Sequence, residues 1–163
     1  MPFRGRSRLY RSFTAKWGHP DYAPEPESEQ ELAEIEQELD LRLPEAYRQF
    51  MQEIGPVISS GALSRAIEST GRDVRALSEF LAARDVAKST RAWRRSNLPK
   101  ELVTIAVDGS GNQFCIRPAS DESAGADAPI WLWLHESDTA EPVASSFAGW
   151  LSELVSIERV PED

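Results

Sequence analysis

The period of the hydrophobic residues changes twice along this chain, and that change constrains the fold more than any other feature. Up to about residue 95 the apolar residues recur mostly at helical spacing. From Leu102 to Ala144 they fall in short, β-branched or aromatic runs, and from Ser146 the helical spacing returns. Helices, then strands, then a closing helix predict an α+β domain with a mostly antiparallel sheet. At 163 residues the chain has room for one such domain, with a hydrophobic core large enough to need no disulfide or metal.

Local signals place the elements. Ser28-Glu29-Gln30-Glu31 is a capping box, and Leu32, Ile35 and Leu39 mark the apolar face of the helix it opens. Leu43-Pro44 starts a second helix, since proline at the first helical position gives up no hydrogen bond. Tyr47, Phe50, Met51 and Ile54 form its buried face, and Gly55-Pro56 stops it. Val57-Ile58 reads as a short strand, and Leu63, Ala66 and Ile67 as a turn of helix. Asp73 reads as an N-cap for a three-turn helix through Val74, Leu77, Phe80, Leu81 and Arg84. Strands are expected at Leu102–Val107 and Gln113–Ile116, joined by a hairpin turn at Asp108-Gly109-Ser110-Gly111-Asn112. A third is expected at Ile130–Leu134 and a short one at Val143–Ser145. Ser146 then caps a helix with Phe147, Trp150, Leu151, Leu154 and Val155 on one face.

These elements divide the chain into three parts. Residues 1–27 read as a basic, aromatic arm with a proline-rich linker, residues 28–157 as a single domain, and residues 158–163 as a charged tail. Leu9, Tyr10, Phe13 and Trp17 give the arm helical spacing, so packing by its aromatics is expected rather than a nucleic-acid tail.

Charge is strongly segregated. Residues 1–19 carry five basic and no acidic groups, and residues 20–55 carry two and eleven. Residues 56–100 carry nine and four, and residues 101–163 carry two and twelve. The net charge is −9. Such a chain is poorly suited to binding a phosphate backbone and better suited to a basic protein partner, so no direct nucleic-acid binding is expected. The N-terminal residues lack the apolar run of a secretory signal, and Ile130–Leu134 is far short of the roughly 20 residues of a membrane helix. A cytoplasmic protein with no membrane contact is expected.

Candidate chemistry is sparse. The Asp108–Asn112 turn lacks the lysine and following helix of a phosphate loop and the alternating carboxylates of a calcium loop. Cys115, the one cysteine, lies in a predicted strand as an inert core residue. His19 and His135 are too few for a zinc site, so no metal or cofactor is expected. Trp93, among Arg91, Arg94 and Arg95, reads as a packed indole with snorkelling arginines. No catalytic residue emerges, and a binding protein is the expectation rather than an enzyme.

The ordered motifs resemble a family. E-x-x-L-x-x-I-E-x-x-L at Glu29–Leu39 leads to L-P-x-x-Y-x-x-F at Leu43–Phe50 and a glycine stop. L-P-x-x-L-V-x-I-A-x-D-G-S-G-N-x-F-C follows at Leu98–Cys115. An I-W-x-W strand with His135-Glu136, and S-F-x-x-W-L at Ser146–Leu151, complete the series. This order resembles the SUKH superfamily, which includes yeast cell-wall-assembly regulators and bacterial immunity proteins that neutralise polymorphic toxins. The resemblance implies a central sheet flanked by two N-terminal helices and one C-terminal helix, no enzymatic activity, and a cognate protein toxin as partner. A nuclease toxin, being basic, suits an acidic inhibitor. The alternative implied function is a regulatory or scaffold interaction domain. Leu43, Pro44, Tyr47, Asp108, Gly109 and Asn112 match motif positions that hold the scaffold. The exposed acidic loops, with Asp121, Glu122, Asp127, Glu136, Asp138 and Glu141, are the expected partner contacts. Two features depart from the family pattern. Gly55-Pro56 replaces a Gly-Gly pair, and the N-terminal arm is extra.

Overall fold

A computed structural model describes residues 1–119 and 125–161. The helices are α1 (Phe3–Trp17), α2 (Glu29–Leu39), α3 (Glu45–Glu53), α4 (Gly61–Thr70), α5 (Ala83–Arg94) and α6 (Phe147–Ser156). The strands are β1 (Glu79–Phe80), β2 (Val103–Val107), β3 (Gln113–Ile116), β4 (Ile130–Leu134) and β5 (Thr139–Ala144). They form one antiparallel sheet in sequential order β1-β2-β3-β4-β5. The expected α+β architecture, a sheet flanked by helices, is what the chain adopts.

Strand register sorts the side chains onto two faces. Phe114 lies opposite Leu132, and Ile116 lies opposite both Val103 and Ile130. All five are buried in the main core. That core also holds Tyr10, Phe13 and Trp17 of α1, Tyr47 and Phe50 of α3, and Phe147 and Trp150 of α6. Phe50 and Phe147 sit at its centre, with edge-on ring contacts to Tyr10 at centroid distances of 5.3 and 5.9 Å. The other sheet face carries the row Thr104, Cys115, Trp131 and Pro142 and the row Val107, Gln113, Trp133 and Ala140. Leu98, Leu102, Cys115 and Trp133 form a smaller core there, with Trp93, Trp131 and Ala140 packed against it. Helix α5 is tied to β2 by hydroxyls: Thr104 N–H donates to Thr90 Oγ1 at 3.1 Å, and Thr104 Oγ1–H donates to Ser89 Oγ at 2.9 Å.

The basic N-terminal segment is one continuous helix whose inner face is core. Tyr10, Phe13 and Trp17 are fully buried, so the aromatics pack the segment as their spacing predicts. Arg6 is buried with them, donating to Gln49 Oε1 at 2.7 Å and pairing with Glu45 at 3.3 Å.

The Ser28 capping box forms as read. Glu31 N–H donates to Ser28 Oγ at 3.1 Å, and Glu31 reaches back to the Ser28 N–H. Pro44 sits one residue earlier than expected, at the N-cap of α3. Gly55 ends that turn with φ of 100°. A Cβ there would lie 2.1 Å from the Glu25 carbonyl oxygen, so only glycine lets the linker cross so closely.

The helix expected from Asp73 is not formed. Residues 78–81 are extended instead: Ser78 N–H donates to the Val107 carbonyl, Phe80 N–H to Val57 and Leu81 N–H to Ile105. The apolar spacing of Leu77, Phe80 and Leu81 suits either period, and the open edge of β2 decides between them. The helix starts later, at Ala83, whose N–H meets the Glu27 carboxylate at 3.4 Å. The last strand is longer than expected, taking in Thr139 to Pro142 as well as Val143 and Ala144.

Candidate partner-binding surface

The sequence motifs converge on the β2–β3 turn. Asp108 Oδ1 accepts from the backbone N–H groups of Ser110 and Asn112 at 2.8 and 2.9 Å. Its Oδ2 accepts from Asn112 Nδ2 at 3.0 Å. Asn112 Oδ1 in turn accepts the His135 N–H at 3.2 Å, and His135 Nε2 lies 2.9 Å from the Ser110 carbonyl. The DGSGN turn is therefore held by side chains and fastened to the end of β4, with Gly111 at φ of 87°. Leu43, Pro44 and Tyr47 are buried on the main-core side. The Leu43 N–H is held by Glu36 Oε2 at 2.8 Å, and Glu36 also pairs with Arg48 at 2.7 Å.

Beside the turn the second sheet face opens to solvent. Trp93 and Trp131 are half-buried at its margin, and Trp93 faces the His135 ring at 6.1 Å. Asn97 Nδ2 donates to Asp138 Oδ2 at 3.0 Å, joining the end of α5 to the β4–β5 turn. Asp138 holds a left-handed conformation, with φ of 53°, at the tip. Three buried polar atoms on this face have no partner among the described residues: Gln113 Oε1, Trp131 Nε1 and Trp133 Nε1. Buried polar groups are rarely left unpaired, and such exceptions concentrate where a surface serves something other than stability.

Of the six acidic positions expected to meet a partner, the four that are described do not form one patch. Asp121 and Glu122 lie outside the described residues. Glu136 and Asp138 lie together in the β4–β5 turn, next to Trp93 and His135. Glu136 and Glu141 are exposed, and their side chains make no hydrogen bond or ion pair with a described residue. Glu141 pairs with Leu132 in the sheet register, which turns it to the opposite face from Trp131 and Trp133. Asp127 has an internal role. Its Oδ1 accepts the Phe147 and Ala128 N–H groups, each at 2.7 Å, and its Oδ2 accepts the Ala148 N–H at 3.2 Å. Together with Ser146, which accepts from Gly149 N–H at 3.0 Å, it caps α6.

The other residues weighed as candidate sites are separately engaged. Cys115 is fully buried, and desolvation holds its thiol far above the usual range, the opposite of what a nucleophile needs. Trp93 packs on the small core, and Arg94 beside it donates to the Lys100 carbonyl at 2.8 Å. Arg91 meets Glu38 of α2 at 3.6 Å. Among the described residues no cluster of three His, Cys, Asp or Glu could hold a metal, and no helix is long and apolar enough to cross a membrane. A wide groove of about 1430 Å³ lies between the α2–α3 connection and the start of β2. Arg42, Arg94, Lys100 and Arg117 line it together with Glu36, Asp40 and Glu101, so its charge is mixed. Sequence reading did not find this groove, because its walls come from three segments far apart in the chain.

Comparison with curated proteins gives no match. Comparison with protein families does: the model of the SMI1/KNR4 family (SUKH-1) matches residues 26–153. That range begins just before the Ser28 capping box and ends within α6, so it contains the buried Leu-Pro-x-x-Tyr turn, the side-chain-held DGSGN hairpin and the tryptophan strand. The chain belongs to the SMI1/KNR4 (SUKH-1) family.

Proposed function

We propose that this chain is a non-enzymatic immunity protein that binds and neutralises a cognate, basic toxin protein, with a nuclease the class best matched by its acidity. The observation that carries this reading is the β4–β5 end of the sheet. There the half-buried Trp93 lies 6.1 Å from the ring of His135, which the exposed Glu136 follows in the chain, and the turn-tip Asp138 is bonded to Asn97 just past the end of α5. A large indole on a fixed scaffold with charged groups around it is the pattern of an interface anchor and its rim. Glu141, on the other side of the edge strand, widens the negative field. The net charge of −9 supports the same reading, because a basic partner is drawn in at long range and held by the desolvated centre. Pro142 and Glu141 make β5 a poor template for an added strand, so side chains rather than strand pairing would carry the contact.

The test is toxin rescue. The partner co-purified from the native cell is expressed in a sensitive host with and without this chain. Protection by the wild type, and weaker protection by a Glu136→Lys/Asp138→Lys variant, is the expected result. Equal protection by both would move the interface off this surface, and no protection would favour the regulatory-scaffold alternative. That alternative has one observation of its own: the chain carries separate surfaces of opposite charge, which suits more than one partner.

A further inference from the structure

Helices α1 and α5 carry the same basic pattern. Arg4, Arg8 and Arg11 recur at i, i+4, i+7, as do Arg84, Lys88 and Arg91. That spacing aligns three cations along one side of a helix. On α5 the row is met at one end within the molecule. Helix α2 packs against α5, and Arg91 reaches Glu38 at 3.6 Å. An acidic helix thus lies against a basic one in this fold.

The row on α1 has no such answer. Arg4, Arg8 and Arg11 are exposed, and their side chains make no hydrogen bond or ion pair with a described residue. The opposite side of α1 is locked into the core by Tyr10, Phe13 and Trp17, so the row is held outward on a rigid support. Phe3 and Met1, at the same end, are 54% and 62% exposed, which adds apolar surface beside the row. No acidic residue occurs before Asp21, and α1 lies outside the residues that the family shares.

We propose that the outer face of α1 is a docking surface for an acidic helix of a protein partner, carrying glutamates or aspartates at i, i+4, i+7 and packed as α2 packs on α5. Charge complementarity sets the occupant, and the α2–α5 pair shows the arrangement within this same fold. A nucleic acid fits less well. Three arginines neutralise few phosphates, so the counterion-release gain open to a nucleic acid is small. The inference stands apart from the immunity reading, since it concerns a different surface and a partner group of opposite charge.

Fluorescence anisotropy with two labelled probes tests it. One is a helix-stabilised peptide with glutamates at i, i+4, i+7 and a leucine beside them; the other is a single-stranded oligonucleotide of equal charge. Saturable binding of the peptide to the full chain, weakened about tenfold or more by Arg4→Glu/Arg8→Glu/Arg11→Glu, is the expected result. An unchanged urea midpoint shows that the variant is folded. If it is not, the corresponding Arg→Gln triple is used instead. Equal binding to the variant, no saturable peptide binding, or tighter binding of the oligonucleotide would overturn the proposal. So would a sedimentation result in which a second copy of this chain covers the row.

Discussion

The Trp17 indole N–H donates to the Leu154 backbone carbonyl at 2.8 Å, and this bond fastens the C-terminal end of α1 to the last turn of α6. Lys16 Nζ donates to the next carbonyl, Val155, at 2.7 Å. Helix C-termini leave carbonyls unpaired, and a cation there also suits the helix dipole. The segment before the family-matched region therefore closes the end of the segment that completes it. Trp17→Ala should lower stability by about 3–5 kcal/mol through lost burial and a cavity. Trp17→Phe, which keeps most of the ring and loses the donor, should lower it by less. Urea unfolding of the full chain measures both; a loss near zero for Trp17→Phe would show that the hydrogen bond adds nothing, and equal losses would show that the buried ring adds nothing beyond it.

Two tyrosines of the main core predict opposite outcomes for the same substitution. Tyr10 O–H donates to the Ala46 carbonyl at 2.8 Å. The buried Tyr47 hydroxyl has no partner among the described residues. Burial pushes both phenols well above their usual range, so neither ionises at neutral pH. Tyr10→Phe should destabilise by about 1–2 kcal/mol, and Tyr47→Phe should be neutral or slightly stabilising. Thermal melts of the two variants check the pair.

Asp127 supports the fold by capping α6. Asp127→Ala strips the carboxylate from the Phe147, Ala148 and Ala128 N–H groups and should cost about 1–2 kcal/mol. Asp127→Asn, which keeps an acceptor, should lose less. If either changes the association rate with a basic partner as strongly as Glu136→Lys does, Asp127 belongs to the interface as well.

The capping box of α2 predicts a pH dependence. The Ser28 N–H and hydroxyl hold the Glu31 carboxyl below the usual carboxylate range. A carboxylate whose folded pKa is depressed contributes fully above its unfolded value and loses that contribution as pH falls through the folded one. Ser28→Ala removes the hydroxyl half of the box, leaves the backbone N–H that is the larger cause of the Glu31 shift, and should cost about 1 kcal/mol near neutral pH. The difference between wild type and variant should shrink as pH falls below about 4.3. Glu27 has the reverse sign, because burial raises its pKa and its contribution falls as pH rises; it is present in both proteins. Urea midpoints taken through the acidic range test the trend.

Most elements were legible in the sequence because their signals are local. The Ser28 box, Pro44 with Gly55, the DGSGN turn and Ser146 each specify backbone geometry within a few residues. The Asp73 helix failed for the opposite reason. Nothing within residues 73–84 shows that Val57, Ile105 and Val107 will take the N–H groups of Phe80, Leu81 and Ser78. The proposed surface was legible in kind and not in place. Exposed acids are visible in the sequence, but the register that parts Glu141 from Glu136 and Asp138 is not. Nor is the reach of Asp127 to α6 across 20 residues. Trp93 read correctly as a packed indole, while its position beside His135 needed the fold.

The central claim is that this acidic family member silences a basic toxin through the β4–β5 end of its sheet. Its most direct test is to isolate the complex from the native cell at moderate salt and assay the partner's toxic activity before and after the chain is removed. The account predicts one stoichiometric basic partner, inactive in the complex and active once freed, with association slowed by Glu136→Lys/Asp138→Lys most strongly at low salt. A partner equally active bound and free, or several substoichiometric partners with no toxic activity, would contradict it.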